Sequence, residues 1–313
     1  MALGTDHVSA GVGGGSTVFV PEIWGSKIND YFRFNLSLAQ FFVDRSDELS
    51  DGGATVYTPN IVAMSDNAKS YNTQVTLNNP IHTKQTLNVS TWREVSFVIE
   101  DREAAQFKKS YYVQNLLAKG AAWEVADALE DAIATLFDSF TTNVLGNGTS
   151  NAADSSLLAA IALLEAQGTP VYNGETAWIM HPNTFYRQIG SIDKMTLWQN
   201  TESESPRVKA PTRSLYSIPV IVSPNVPLGT GAAAQAGARL NLLAHKDAIH
   251  WARLSMPVRA SMGMVGEQGV RVQQSYVHEY LGELVTIDLC YGTVENRDNA
   301  AVVIRSHSTA VGL

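Results

Sequence analysis

Apolar residues recur with two different periods along the chain, and the change of period divides it. Between Asp101 and Val144 there is no proline and one glycine, Gly120. Val125, Leu129, Ile133, Leu136, Phe137 and Phe140 follow the i, i+4, i+8, i+11 rule there, while Glu124, Asp127, Glu130, Asp131 and Asp138 fill the other positions. One apolar stripe at this spacing predicts a long helix, with Gly120 as the place for a bend and Gly146-Asn147-Gly148 as the stop. The acidic positions read as its solvated face. At about 1.5 Å per residue such a helix spans most of a domain and can serve as its spine.

Ahead of the helix, from Asp51 to Val98, the composition turns to Thr, Asn, Gln and Val. Turn signals stand at Asp51-Gly52-Gly53 and Asn78-Asn79-Pro80, and Leu87, Val89, Thr91, Arg93, Val95 and Phe97 alternate as a strand does. The middle, Ser65 to Gln74, is almost wholly polar. A hairpin with so little apolar surface is marginal alone and is expected to need a neighbouring surface. Further upstream, Gly11, Gly13, Gly14, Gly15 and Ser16 predict a flexible arm to about Val20. Ile23, Trp24, Ile28, Tyr31 and Phe32 after Pro21 then predict a short amphipathic helix.

Beyond the long helix the pattern is mixed, which makes the class α+β. A helix from Asp154 or Ser155, either of which could cap it, runs to Gln167 and is closed by Gly168 and Pro170. Ala177 to Met180 reads as a buried strand and Pro182 to Ile189 as a short helix. Trp198 to Arg213 is a polar loop, and strands follow at Ile218 to Val222, Leu240 to Ala244 and Ala248 to Leu254, with a Gly and Ala loop at Gly229 to Gly237. Two long strands between Val270 and Tyr291 meet at Gly282, and Ala301 to Ile304 is a last apolar strand. No internal repeat appears.

Composition narrows the function. The 313 residues, 45% hydrophobic and 17% charged, suffice for a substantial core. With 22 Lys and Arg against 30 Asp and Glu, the net charge of -8 repels phosphates and argues against a specific DNA reader. No run approaches the ~18 apolar residues of a membrane span, so no membrane is expected. The single cysteine, Cys290, lies in an apolar run and reads as a core thiol. His245 and His250 are five apart, which does not fit a metal pair on one helix, and no third ligand is evident. Gly229-x-Gly231 follows Pro227 and lacks the third glycine of a dinucleotide fingerprint. No nucleophile elbow, Walker loop or zinc spacing appears. The expectation is therefore no catalytic residue, no cofactor, no metal and no enzyme.

Four runs together resemble the major capsid proteins of tailed bacteriophages with the Hong Kong 97-type fold. They are Phe97 to Gln106 (FVIEDREAAQ), Ala177 to Tyr186 (AWIMHPNTFY), Ser217 to Pro227 (SIPVIVSPNVP) and Leu243 to Ala252 (LAHKDAIHWA). The resemblance implies an arm at 1–20, a lead-in to the peripheral domain at 21–50 and an extended β-hairpin loop at 51–98. It also implies a spine helix at 99–145, an axial domain at 146–254, and peripheral-domain strands with the C-terminus at 255–313. It implies pentamers and hexamers that build an icosahedral shell around double-stranded DNA, with the hairpin lying on an adjacent subunit. The loops Trp198 to Arg213 and Gly229 to Gly237 would then meet around the capsomer axis. An acidic inner wall would hold the genome without sequence-specific binding, and assembly would take place in the host cytoplasm. The N-terminus leaves no room for a scaffolding segment, so the implied partners are many copies of the chain, a separate scaffolding protein, a portal and, as an option, a decoration protein. Expected inter-subunit contacts are Asp66, Lys69 and Tyr71 at the hairpin tip, with Arg93, Arg102 and Lys108 pairing to carboxylates. The same fold builds encapsulin-like compartments around an enzyme cargo, which is the alternative reading. A soluble α/β enzyme is a more distant one.

Overall fold

The computed structural model describes residues 36–49, 53–61, 64–106, 110–190, 192, 214–230, 237–257, 263–265 and 270–309. The arm at 1–20, the helix after Pro21, the loop at Trp198 to Arg213, most of the Gly and Ala loop, and Lys108 lie outside them.

The apolar stripe produces the expected helix. After a six-residue helix α2 (Asp101–Gln106), α3 (Ser110–Thr135) continues through Gly120 without interruption. It ends earlier than expected, in a 3-10 turn at Leu136–Asp138, and Val144–Leu145 are already a strand, β5. The β-branched Thr141, Thr142 and Val144 disfavour helix. Asp298 completes the stop by accepting the backbone N–H groups of Thr141 (3.0 Å) and Thr142 (3.2 Å).

Two sheets share this helix. In the first, β13 (Gly282–Glu295) is central. β4 (Thr91–Glu100) runs antiparallel along one edge from Glu100 opposite Gly282 to Thr91 opposite Tyr291. Along its other edge β12 (Arg271–Val277) and β10 (Ile249–Leu254) follow one another. β1 (Val43–Asp44) and β11 (Gly263–Val265) close the ends. Val95 and Phe97 of β4 and Val285, Ile287, Leu289 and Tyr291 of β13 face α3, where they meet Val125, Leu129 and Ile133. The expected junction of two strands at Gly282 is present, and a Cβ there would stand 2.7 Å from the Ile99 carbonyl oxygen.

The second sheet has the order β5-β14-β9-β6-β8-β7, built from β6 (Thr176–Met180), β7 (Ser214–Leu215), β8 (Ile218–Val222), β9 (Arg239–His245) and β14 (Ala301–Ser306). All five residues of β6 are buried. Trp178 and Met180 pack on α4 (Asp154–Ala166) and a π-helix (Asn183–Ile189), while Ile179 joins the core against α3. That two-sided burial accounts for a strand apolar at every position. The N-cap of α4 is Ala153, without a side-chain cap bond, rather than Asp154 or Ser155.

Strand pairing divides the chain differently from the expected boundaries at 254 and 255. β10, expected with the axial strands, belongs to the first sheet, and β14, expected with the peripheral strands, belongs to the second. The short turns Lys246–Ala248 and Asp298–Ala300 carry the chain across twice. β14 is apolar on both faces, with Val302 and Ile304 against α4 and Ala301 and Val303 against α3, so it needs the interior position between β5 and β9.

Candidate functional site

The feature that the two cores leave unexplained is the hairpin of β2 (Thr55–Asn60) and β3 (Thr83–Asn88). Its base is rooted. Val56, Leu87 and Val89 are buried with Leu49, Ala252 and Cys290 in a small third core. The Gln85 amide donates to the Glu295 carbonyl at 2.6 Å, and the Val89 N–H donates to the Ala54 carbonyl at 2.8 Å. The turn into β4 crosses β13 at Gly292, where a Cβ would stand 2.2 Å from the Asn88 carbonyl oxygen, so only glycine fits.

The outer half has no such support. Every described residue from Met64 to Asn79 is exposed. Its hydrogen bonds are local, among them Asn67 Nδ2 donating to Asn78 Oδ1 at 2.9 Å and the Lys69 ammonium donating to Thr73 Oγ1 at 3.1 Å. Apolar side chains nevertheless project from it. Ile61 is 81% exposed, Leu77 84%, Ile81 78% and Tyr71 100%, with Met64 and Val75 also exposed. Of these, the sequence analysis names Tyr71; Ile61, Met64, Val75, Leu77 and Ile81 flank the polar middle at Ser65 to Gln74, and their signal is the i, i+2 pair Val75 and Leu77 beside it. Aliphatic residues left this exposed side by side mark an interaction surface.

Asp66, Lys69 and Tyr71 lie together at the tip, all exposed. Arg93 and Arg102 are exposed but belong to β4 and α2, and the structure does not gather them with the tip. On the face of β4 turned away from α3, Trp92 and Val98 are exposed beside Glu94 and Ser96. Trp92 is fixed there by Asp288, a buried carboxylate that accepts from Trp92 Nε1 at 2.8 Å, from Arg271 Nε at 2.8 Å and from Arg271 Nη2 at 2.5 Å. One chain thus carries both an unsupported apolar hairpin and a rigid, partly apolar sheet face.

Chemistry elsewhere is sparse. Among the described residues no three His, Cys, Asp or Glu side chains converge as a metal site, and no helix is long and apolar enough to cross a membrane. A polar cleft of about 330 Å³ lies where the chain crosses between the sheets, lined by Glu175, His245, Asp247 and Arg297 among others. Several of its polar groups are committed to one another: Glu175 pairs with Lys246, and His245 contacts Asn173 at 3.3 Å. Burial holds the imidazoles of His181 and His250 down at about 4, with the nearby charges of Arg239 and Arg45 respectively adding to the effect. Burial pushes the Cys290 thiol up, as does the charge of Asp288.

Glu130 corrects the reading of a solvated acidic face. Asp131 is exposed, but Glu130 is 1% exposed and takes two backbone hydrogen bonds from the segment ahead of the first sheet.

The family model described as phage capsid protein matches residues 84–286. No curated protein matches the sequence. The fold is similar to that of a chain from Mycobacterium phage Che8, with a TM-score of 0.68 at 16% identity over 91% of this chain and 97% of that one. It is also similar to a chain of the cyanophage Pam1 capsid, with a TM-score of 0.68 at 11% identity over 94% and 98%. The mature capsid of bacteriophage PhiM1 gives a TM-score of 0.66 at 11% identity over 100% and 98%.

Proposed function

The chain belongs to the phage capsid protein family and is a structural subunit of a virion shell, and from that premise we propose how it builds one. The hairpin of one copy lies on the first sheet of the next, head to tail, and the repeated contact closes into pentamers and hexamers of an icosahedral shell around double-stranded DNA. The observation that carries this reading is the row of exposed aliphatic side chains on a hairpin whose base is buried and whose outer half is exposed among the described residues. A hairpin of this kind is stabilised by the apolar area it buries elsewhere, at about 25 cal/mol per Å². The net charge of -8 favours a container that does not bind its genome tightly. A scaffolding protein, a portal and a decoration protein are further partners of this reading, and assembly would take place in the host cytoplasm. The chain works by contact alone, without a catalytic step.

Crosslinking mass spectrometry of assembled particles, made from a mixture of isotopically light and heavy subunits, tests the contact. Links from Lys69 or Lys84 to the first sheet of a differently labelled copy are expected. Links found only within one copy would contradict it.

A further inference from the structure

The first described element, α1 (Leu38–Phe41), is a single turn. A turn of that length has no stability of its own. Ser37 at its N-cap makes no side-chain cap bond. The cap comes instead from α3, 92 residues away in sequence. The Leu38 N–H donates to Glu130 Oε2 and the Ala39 N–H to Glu130 Oε1, each at 2.9 Å. The same turn is held by Trp251 Nε1, which donates to the Ala39 carbonyl at 2.9 Å, and by Leu38 and Phe42 in the main core. It continues into β1, which pairs in parallel with β10.

Glu130 is an unusual choice for that position. It lies between core residues Leu129 and Ile133, and no cationic side chain among the described residues pairs with it. Asp127, one turn earlier on the same helix, is a like charge. Among the described residues, the elements named around it bring no compensating charge. α1 reads Leu-Ala-Gln-Phe, β10 supplies Trp251, and β13 supplies Tyr291, whose hydroxyl donates to the Ala128 carbonyl at 2.9 Å. Among the described residues, the buried carboxylate is compensated by backbone N–H groups of the segment it holds.

We propose that Glu130 is a reversible latch: it lets residues 36–44 dock on and undock from the long helix as one unit while both sheets stay folded. Docked, the carboxylate gains charge-assisted hydrogen bonds but loses its water. Undocked, water solvates it again. The two effects oppose, so this contact yields before the apolar cores do. Burial outweighs the hydrogen bonds and pushes the carboxyl above its ordinary value of 4.5. The docked state therefore binds the proton more tightly than the undocked state. Docking is strongest below the ordinary value and weakens as pH rises through the raised one.

Hydrogen exchange on the full chain tests this, with rates corrected for intrinsic chemistry from about pH 5 to about pH 8. Protection of the amides of Leu38 and Ala39 is expected to fall by about tenfold for each unit by which the carboxyl is raised, while β13 keeps its protection. Glu130→Gln, which cannot titrate, is expected to flatten that response. Equal protection at every pH in the wild type would overturn the proposal, as would opening of residues 37–44 together with β13. If the variant does not fold, the wild-type series decides alone.

Discussion

Ile61→Asp, Leu77→Asp and Ile81→Asp introduced together are expected to leave the subunit folded and to abolish shells. The three side chains are 78 to 84% exposed in the subunit, so the single chain loses no packing. Surface changes of this kind shift stability by about 0.5 kcal/mol or less each. The hairpin stays rooted because its anchors are elsewhere, at Val56, Leu87 and Val89 and at the crossing over Gly292. In the assembly the balance reverses. Each aliphatic side chain buried against a neighbour contributes about 1.5 to 3 kcal/mol, and a carboxylate forced into the same contact adds a desolvation cost. The loss recurs at every subunit. Circular dichroism should show an unchanged melting curve, and sedimentation velocity should show no fast-moving particle. Shells formed by the variant would place the contact elsewhere.

The second large effect is expected at Asp288. Asp288→Ala should cost the free subunit about 3 to 5 kcal/mol, read by urea unfolding, because it strands the Arg271 guanidinium in a largely buried position. It also releases Trp92, whose indole loses its acceptor. The double replacement Arg271→Met with Asp288→Leu should recover most of the loss, since the cost lies in the unpaired charge rather than in the absence of the pair. A loss below about 1 kcal/mol for the single change would mean that water reaches Arg271 and that this face of the sheet is less rigid than described.

What the sequence made legible follows from how local each cause is. The stripe Val125, Leu129, Ile133 and Phe137 predicts α3 because helical period and burial agree there. The unbroken apolar run of β6 and the glycine between β12 and β13 are equally local signals. The capsid resemblance added the family, which no composition or spacing could supply. The helix end was misplaced because Asp298, 156 residues beyond Thr142, helps to set it. The sheet assignments of β10 and β14 were missed for a similar reason. Each is an apolar run suited to the interior of either sheet, and the turn before it decides which sheet it reaches. Glu130 shows the limit most clearly. It occupies a position in an acidic row beside Asp131, and only the arrival of α1, 91 and 92 residues away along the chain, makes one carboxylate buried and the other solvated. At the hairpin, polar composition concealed the scattered Ile61, Leu77 and Ile81, whose significance lies in how exposed the fold leaves them.

Cryo electron microscopy of the purified protein under assembly conditions tests the central claim most directly. The account predicts closed icosahedral shells of pentamers and hexamers, with the 55–88 hairpin of each subunit resting on the sheet of its neighbour. A small closed oligomer under every condition, or shells in which that hairpin projects into solvent, would contradict it.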